Sequence, residues 1–264
     1  MSGVMERWSE TDLGFWISDF GLNRMDCRRE TQFEIHNPHS AFPSRHWGPT
    51  MKKYIDLTHR IVQDMPVFPG DPPPEIREVT TLGKDSYAVQ SIRFSNHIGT
   101  HLDAPSHFIE GGVTVEEIPL ESLIGRAVIL DFTCKGKNDR VTIEDLQAHE
   151  YLMPPGSRVL IKTGWDVNFT SEAYFENFPC LTRKAAEYLV HRGIRLLGTD
   201  TPSPSPLADP GETIHKTLLA AGIVIVESLK NLTLIDRNQC KIIVLPLPIK
   251  DFSGSPCRVV AVLD

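Results

Sequence analysis

His97-Ile98-Gly99-Thr100-His101-Leu102-Asp103-Ala104-Pro105-Ser106-His107 places three of the chain's ten histidines and one aspartate within eleven residues. Ten histidines spread evenly over 264 residues would leave roughly 0.4 in such a window, so the run is a real concentration. His97 and His101 stand four apart around Gly99-Thr100, where a residue without Cβ permits a tight turn. Asp103 lies two beyond His101 and points to the same side of an extended chain. Imidazole and carboxylate presented together suit a divalent transition metal, and a further histidine close by suits proton transfer near neutral pH. One ion needs about four donors, and His97, His101 and Asp103 supply three, leaving a position for water. This is the pattern of a metal-dependent hydrolase.

Working outward, Glu227 closes the run Ile223-Val224-Ile225-Val226. A carboxylate at the end of such a strand is costly to bury unless a cation or hydrogen bonds compensate; the plainer reading is that it marks where the strand meets solvent. His215 lies twelve residues upstream, in the first turn of a helix expected over 212–221. A helix followed by a strand brings His215 and Glu227 to one edge, where a second cation can share Asp103 with the first.

The surroundings read as a mixed α/β domain. Tyr87 to Phe94 is a strand delivering the chain into His97, and strand-length Val/Ile-rich runs follow at Ala127–Phe132, Arg158–Thr163, Ile194–Leu197, Ile223–Val226, Lys241–Leu245 and Arg258–Leu263. Thr142 opens a helix running to about Leu152. Thr182 caps another, with Ala185, Ala186, Leu189 and Val190 on one face and Gly193 as its stop. Pro66 to Pro74 is a proline-stiffened loop, excluded from any central strand. Strands outnumber helices, which predicts a layered β/β/α, α+β body with a mixed central sheet.

The first fifty residues differ from the rest. They hold three of four tryptophans (Trp8, Trp16, Trp47), five arginines and no lysine, and sustain neither structural period. We expect 1–50 to be an extension, disordered or draped over the surface, and 51–264 to be the catalytic body, with Met51-Lys52-Lys53-Tyr54 opening directly into a strand. A formal charge of -7 without a long basic run leaves no footprint for nucleic acid or an anionic membrane, so small molecules are the expected partners. Five scattered cysteines without a C-x-x-C pair fit a reducing cytoplasm and exclude a thiolate zinc site. No stretch approaches the ~18 apolar residues of a spanning helix, and the start lacks a signal-peptide layout.

The run HIGTHLDAPSHF (97–108) resembles the signature of the cyclase family of metal-dependent hydrolases, whose members include the bacterial kynurenine formamidases. IHKTLLAAGIVIVESLKNL (214–232) resembles that family's second signature, and LPLPIKDFSGSPCRVVAV (245–262) its closing segment. The resemblance implies the family's layered, swivelling-type fold, with His97 and His101 on one metal, Asp103 bridging, and His215 with Glu227 completing a second site. It also implies that His107 is the catalytic proton donor and acceptor, that Asp200 and Ser203 belong to a pocket loop, and that the protein is a homodimer or higher assembly. Ordinary turn chemistry is the other reading of Asp200 and Ser203. The mixed nitrogen and oxygen donors favour zinc, with manganese as the alternative.

Two departures from the family pattern bear on the substrate. Phe68 stands where the formamidases typically place a tryptophan, keeping an aromatic face without the indole donor. Pro204-Ser205-Pro206 stands where they usually carry an acidic residue. Three functions follow as expectations: hydrolysis of an aryl formamide such as N-formylkynurenine, opening of a cyclic amide such as isatin or a related cyclic substrate, or non-catalytic metal binding.

Overall fold

The computed structural model describes residues 52–209 and 212–263. The expectations for the extension, Trp8, Trp16 and Trp47 included, lie outside the described residues.

The strands, in chain order, are β1 (Lys53–Asp56), β2 (Glu75–Thr80), β3 (Val89–Arg93), β4 (His101–Asp103), β5 (Ile124–Asp131), β6 (Arg140–Val141), β7 (Arg158–Lys162), β8 (Cys180–Leu181), β9 (Leu196–Thr199), β10 (Val224–Glu227), β11 (Gln239–Pro246) and β12 (Gly254–Leu263). The α-helices are α1 (Leu82–Asp85), α2 (Leu120–Leu123), α3 (Ile143–Gln147), α4 (Arg183–His191) and α5 (Thr213–Ala220). The main sheet runs β1-β12-β11-β5-β7-β9-β10-β4. The start of β12 also pairs with β4, so the sheet closes on itself. Strands β5, β7, β9 and β10 are mutually parallel and the rest of the sheet is antiparallel. This is the mixed α+β, layered architecture expected from the sequence.

Alternation within the parallel strands explains the layers. Ala127, Ile129, Leu160, Leu196, Val224 and Val226 face inward, where they pack with Ile242, Val244, Val259 and Ala261 from the antiparallel side. Their neighbours Val128, Leu130, Val159, Ile161, Leu197 and Ile225 face outward beneath Leu146 of α3, Ala185, Ala186 and Leu189 of α4, and Leu218 and Leu219 of α5. Both faces are covered, which is why these strands read as continuous apolar runs and not as alternating ones. Leu160 and Leu196 are essentially inaccessible, and burying each such side chain contributes about 1.5–3 kcal/mol.

Helix punctuation largely follows the sequence. Thr182 caps α4, its hydroxyl accepting from the Ala185 amide at 3.2 Å, and Thr142 with Asp145 forms a reciprocal capping box at α3. The helix expected from Thr142 to about Leu152 is shorter: α3 ends at Gln147 and a separate 3-10 turn covers Glu150–Leu152. The β2–β3 ribbon, whose first strand has no clear sequence signal, lies outside the main sheet with every residue of β3 exposed. No helix among the described residues is long and apolar enough to cross a membrane.

Candidate metal centre

Four elements converge on one end of the closed sheet. Strand β4 carries His101 and Asp103, and antiparallel pairing with β10 sets Glu227 opposite His101 and Ile225 opposite Asp103. On the other flank β12 sets Gly254 opposite Asp103. His97 arrives on the turn before β4, where Gly99 adopts φ +58° and approaches the tip of Met65 so closely that a Cβ there would lie 3.0 Å from Met65 Cε. His215 comes from the first turn of α5.

Their donor atoms meet. Asp103 Oδ1 lies 2.7 Å from His97 Nδ1 and 3.4 Å from His101 Nε2, while Asp103 Oδ2 lies 3.8 Å from His215 Nε2. Glu227 reaches His101 Nε2 at 3.4 Å with one oxygen and His215 Nε2 at 3.0 Å with the other. Asp103 is 1% exposed and Glu227 6%, so two carboxylates sit in a nearly dry site held by imidazoles. Glu227 does not mark an exposed strand end. Burial would push Asp103 up, but the adjoining His97 and His101 outweigh it and hold its carboxyl well below the usual range. Burial opposes charge on His101 and His215; their carboxylate neighbours outweigh it and raise both.

The donor set fits divalent metal. Two ligands each about 2.1 Å from a tetrahedral ion stand about 3.4 Å apart, which is the spacing of His101 Nε2 from both Asp103 and Glu227. The tautomers are prepared too. His101 Nδ1 donates to the Gly99 carbonyl at 2.8 Å and His215 Nδ1 lies 2.9 Å from Ser205 Oγ, leaving both Nε2 atoms for the carboxylate side. Donors lying mutually within 4.8 Å form two groups sharing Asp103: His97, Asp103 and His107; and His101, Asp103 and Glu227.

His107 follows Pro105 in a 3-10 turn and stacks on His97, with ring centroids 3.9 Å apart. Burial pushes it down to about 4, so it is neutral at physiological pH. Beside these groups opens a cavity of about 310 Å³, walled by Phe68, Phe169, Tyr174 and Phe175 and floored by the five donors and His107. Phe68 stands edge-on to Phe175, centroids 5.9 Å apart, and is 42% exposed at the wall.

The two loop residues part company. Ser203 lines the cavity, and its Oγ accepts from the Ser205 amide at 3.0 Å, steadying the hydroxyl that meets His215. Asp200 is fully buried away from the cavity lining, accepting from the Thr163 amide and hydroxyl and from the Gly164 amide at 2.5–3.1 Å.

Three contributors carry no chemical signature in the sequence. Ser205 lies in a Pro-Ser-Pro-Ser-Pro run that departs from the family pattern but gives no sign of its contact with His215. Gly254 makes room for His97: a Cβ there would stand 2.4 Å from its ring. Ser228, directly after Glu227, takes φ +55°, a conformation costing about 1–3 kcal/mol outside glycine. It is held there by its amide donating to Thr201, by Thr100 Oγ1 donating to its carbonyl at 2.6 Å and by the Tyr174 hydroxyl donating to its Oγ at 2.9 Å.

A closed mixed sheet with a buried histidine–carboxylate centre at the floor of an aromatic cavity defines a metal-binding protein of the hydrolase type. The chain belongs to the putative cyclase family, whose model matches residues 55–206. It is 34% identical over 209 residues to the kynurenine formamidase of Geobacillus thermodenitrificans (strain NG80-2), covering 79% of this chain and 96% of that one. Against the kynurenine formamidase of Bordetella pertussis (strain Tohama I) the identity is 29% over 211 residues, with 80% and 98% covered. Among solved structures, isatin hydrolase A from Labrenzia aggregata superposes with a TM-score of 0.73 at 29% identity, covering 80% of this chain and 94% of that one. A potential metal-dependent hydrolase with cyclase activity gives 0.69 at 32%, with 80% and 98% covered.

Proposed function

We propose that this chain is a metal-dependent amidohydrolase that removes the formyl group from an aryl formamide such as N-formylkynurenine. The observation that carries the reading is Asp103, a buried carboxylate shared by two donor groups at the floor of an aromatic cavity that also holds His107. The 34% identity to a kynurenine formamidase supports the substrate class.

In this reading His97, His101, Asp103, His215 and Glu227 hold two divalent ions, zinc by donor type with manganese as the alternative. Ions held there would supply the Lewis acidity that lowers the pKa of a water and polarises an amide carbonyl. The protein supplies the rest. Phe68, Phe169 and Phe175 receive the aryl ring, and the apolar wall limits bulk water around the carboxylates. His107, neutral when free, takes up a proton in the cavity and passes it to the leaving nitrogen, a role typically worth about 10²–10⁴-fold. The same reading includes a homodimer or larger assembly acting in the cytoplasm.

Opening of a cyclic amide is the second reading. It is favoured by Ser205 and Pro206 on the wall, within the Pro204-Ser205-Pro206 stretch where formamidases usually carry an acid, and by the likeness to isatin hydrolase A. Formate release from N-formylkynurenine, tested beside isatin and a lactone after chelation and reloading with zinc or manganese, separates these readings. Absence of turnover on every substrate by fully metallated protein points instead to non-catalytic metal binding.

A further inference from the structure

Strand β10 ends at the metal centre in Glu227, and the strands that run parallel to it begin, at the opposite end of the sheet, beside a second feature. There three neighbouring strands start with arginines: Arg126 in β5, Arg158 opening β7 and Arg195 directly before β9. Arg158 is 7% exposed, yet each hydrogen bond its guanidinium makes ends on a neutral oxygen, the carbonyls of Glu121, Ser122 and Arg126. Arg195 donates to the same Glu121 carbonyl at 3.4 Å, so two guanidinium groups share one acceptor. Arg126 donates to the Gln239 side-chain amide, again a neutral partner. Among the described residues none of the three forms an ion pair, and the charge acting on Arg158 is that of Arg195, which opposes its own.

A buried cation without a counter-charge is expensive. The carbonyls at the end of the one-turn helix α2 offer at most about half an elementary charge. That does not balance the buried guanidinium of Arg158, which shares its Glu121 carbonyl with the exposed Arg195. Arg126 and Arg158 also line a surface cavity of about 350 Å³ together with Ser157 and Gln239, room enough for a small anion and its hydration water.

We propose that this cavity, at the opposite end of the strands from the metal centre, is a binding site for a phosphate-type oxyanion held by Arg126 and Arg158 of its lining, with Arg195 beside Gly156 at its rim. Arg158 supplies the charge deep in the site, and the exposed Arg126 and Arg195 close over the anion. Planar guanidinium groups match such oxygens in pairs.

The test is thermal unfolding of the full-length, metal-loaded chain titrated with inorganic phosphate against chloride at constant ionic strength. The expected result is a saturable rise in Tm. It weakens by about tenfold or more in apparent affinity in the Arg126→Gln/Arg195→Gln variant, whose altered side chains are exposed and leave the core intact. The rise persists in His101→Ala, which separates this site from phosphate binding at the metal centre. No saturable rise in the parent chain, a rise unchanged in the arginine variant, or a rise abolished by His101→Ala overturns the proposal.

Discussion

Glu227 stands directly opposite His101 across the β10–β4 ladder, and the two side chains meet at 3.4 Å, joining residues more than a hundred positions apart into one donor group. The register alone fixes this. A one-residue slip of β10 would turn Glu227 to the opposite face and put an apolar side chain beside His101. Glu227→Gln keeps the shape of the side chain but removes its charge and turns one of its two accepting oxygens into a donor. The expected outcome is an unchanged circular dichroism spectrum with a marked loss of bound metal by elemental analysis. Full metal retention would remove Glu227 from the ligand set.

Ser205 holds His215 by its Nδ1 at 2.9 Å. Partners of this kind typically contribute 10–100-fold to metal affinity, roughly, through orientation of the ring. Ser205→Ala is therefore expected to weaken metal binding by that order in competition with a chromophoric chelator. Ser205→Thr, which keeps the hydroxyl, is expected to recover most of the loss. Equal affinity in parent and alanine variant would leave Ser205 without a role at His215.

Gly254→Ala tests close packing. The added methyl would fall 2.4 Å from the His97 ring, which is the end of a rotatable side chain and gives way before the sheet does. The expected outcome is a Tm close to the parent's with kcat/KM reduced at least about tenfold, because a misplaced group at the centre costs more in rate than in stability. Parental kcat/KM would show that His97 tolerates displacement.

Asp200 is expected to matter for stability and its pH dependence. Burial is the main cause that lifts its carboxyl to about 7 in the folded chain, against an ordinary 3.8, while its hydrogen bonds from Thr163 and Gly164 resist the rise. The folded state therefore keeps a proton that the unfolded state releases between these values. Its contribution to stability is largest below pH 3.8 and declines as pH rises to about 7. Asp200→Asn removes that decline, so unfolding free energies measured by denaturant between those limits should fall less with pH than in the parent. An unchanged pH slope would show that Asp200 is ionised in the folded state.

The buried strands and most donor residues were legible in the sequence because both announce themselves locally. Runs such as Arg158–Thr163 and Ile223–Val226 are apolar on both sides, and the histidines cluster. Helix-then-strand spacing suggested that His215 and Glu227 meet at one edge, and the family resemblance implied the same partnership. What stayed hidden depends on distant contacts. Ser205 stands out in the sequence only as a departure bearing on the substrate until α5 brings His215 to it, and Asp200 gains its partners from a turn 37 positions away. Gly254 matters only because β12 crosses beside β4. Strand β3 was legible within Tyr87–Phe94, but its partner β2 left little trace because none of its residues is buried and it holds position by backbone pairing.

The central claim is that this centre hydrolyses an aryl formamide with His107 moving the proton, and His107→Ala with both metal content and N-formylkynurenine turnover measured on one preparation tests it most directly. His107 stacks on His97 and shares a donor group with it, so the two roles, proton carrier and ligand, are both within reach of its ring. The account predicts parental metal content with turnover lowered by about 10²-fold or more. Loss of metal in step with activity, or turnover left intact, would contradict it.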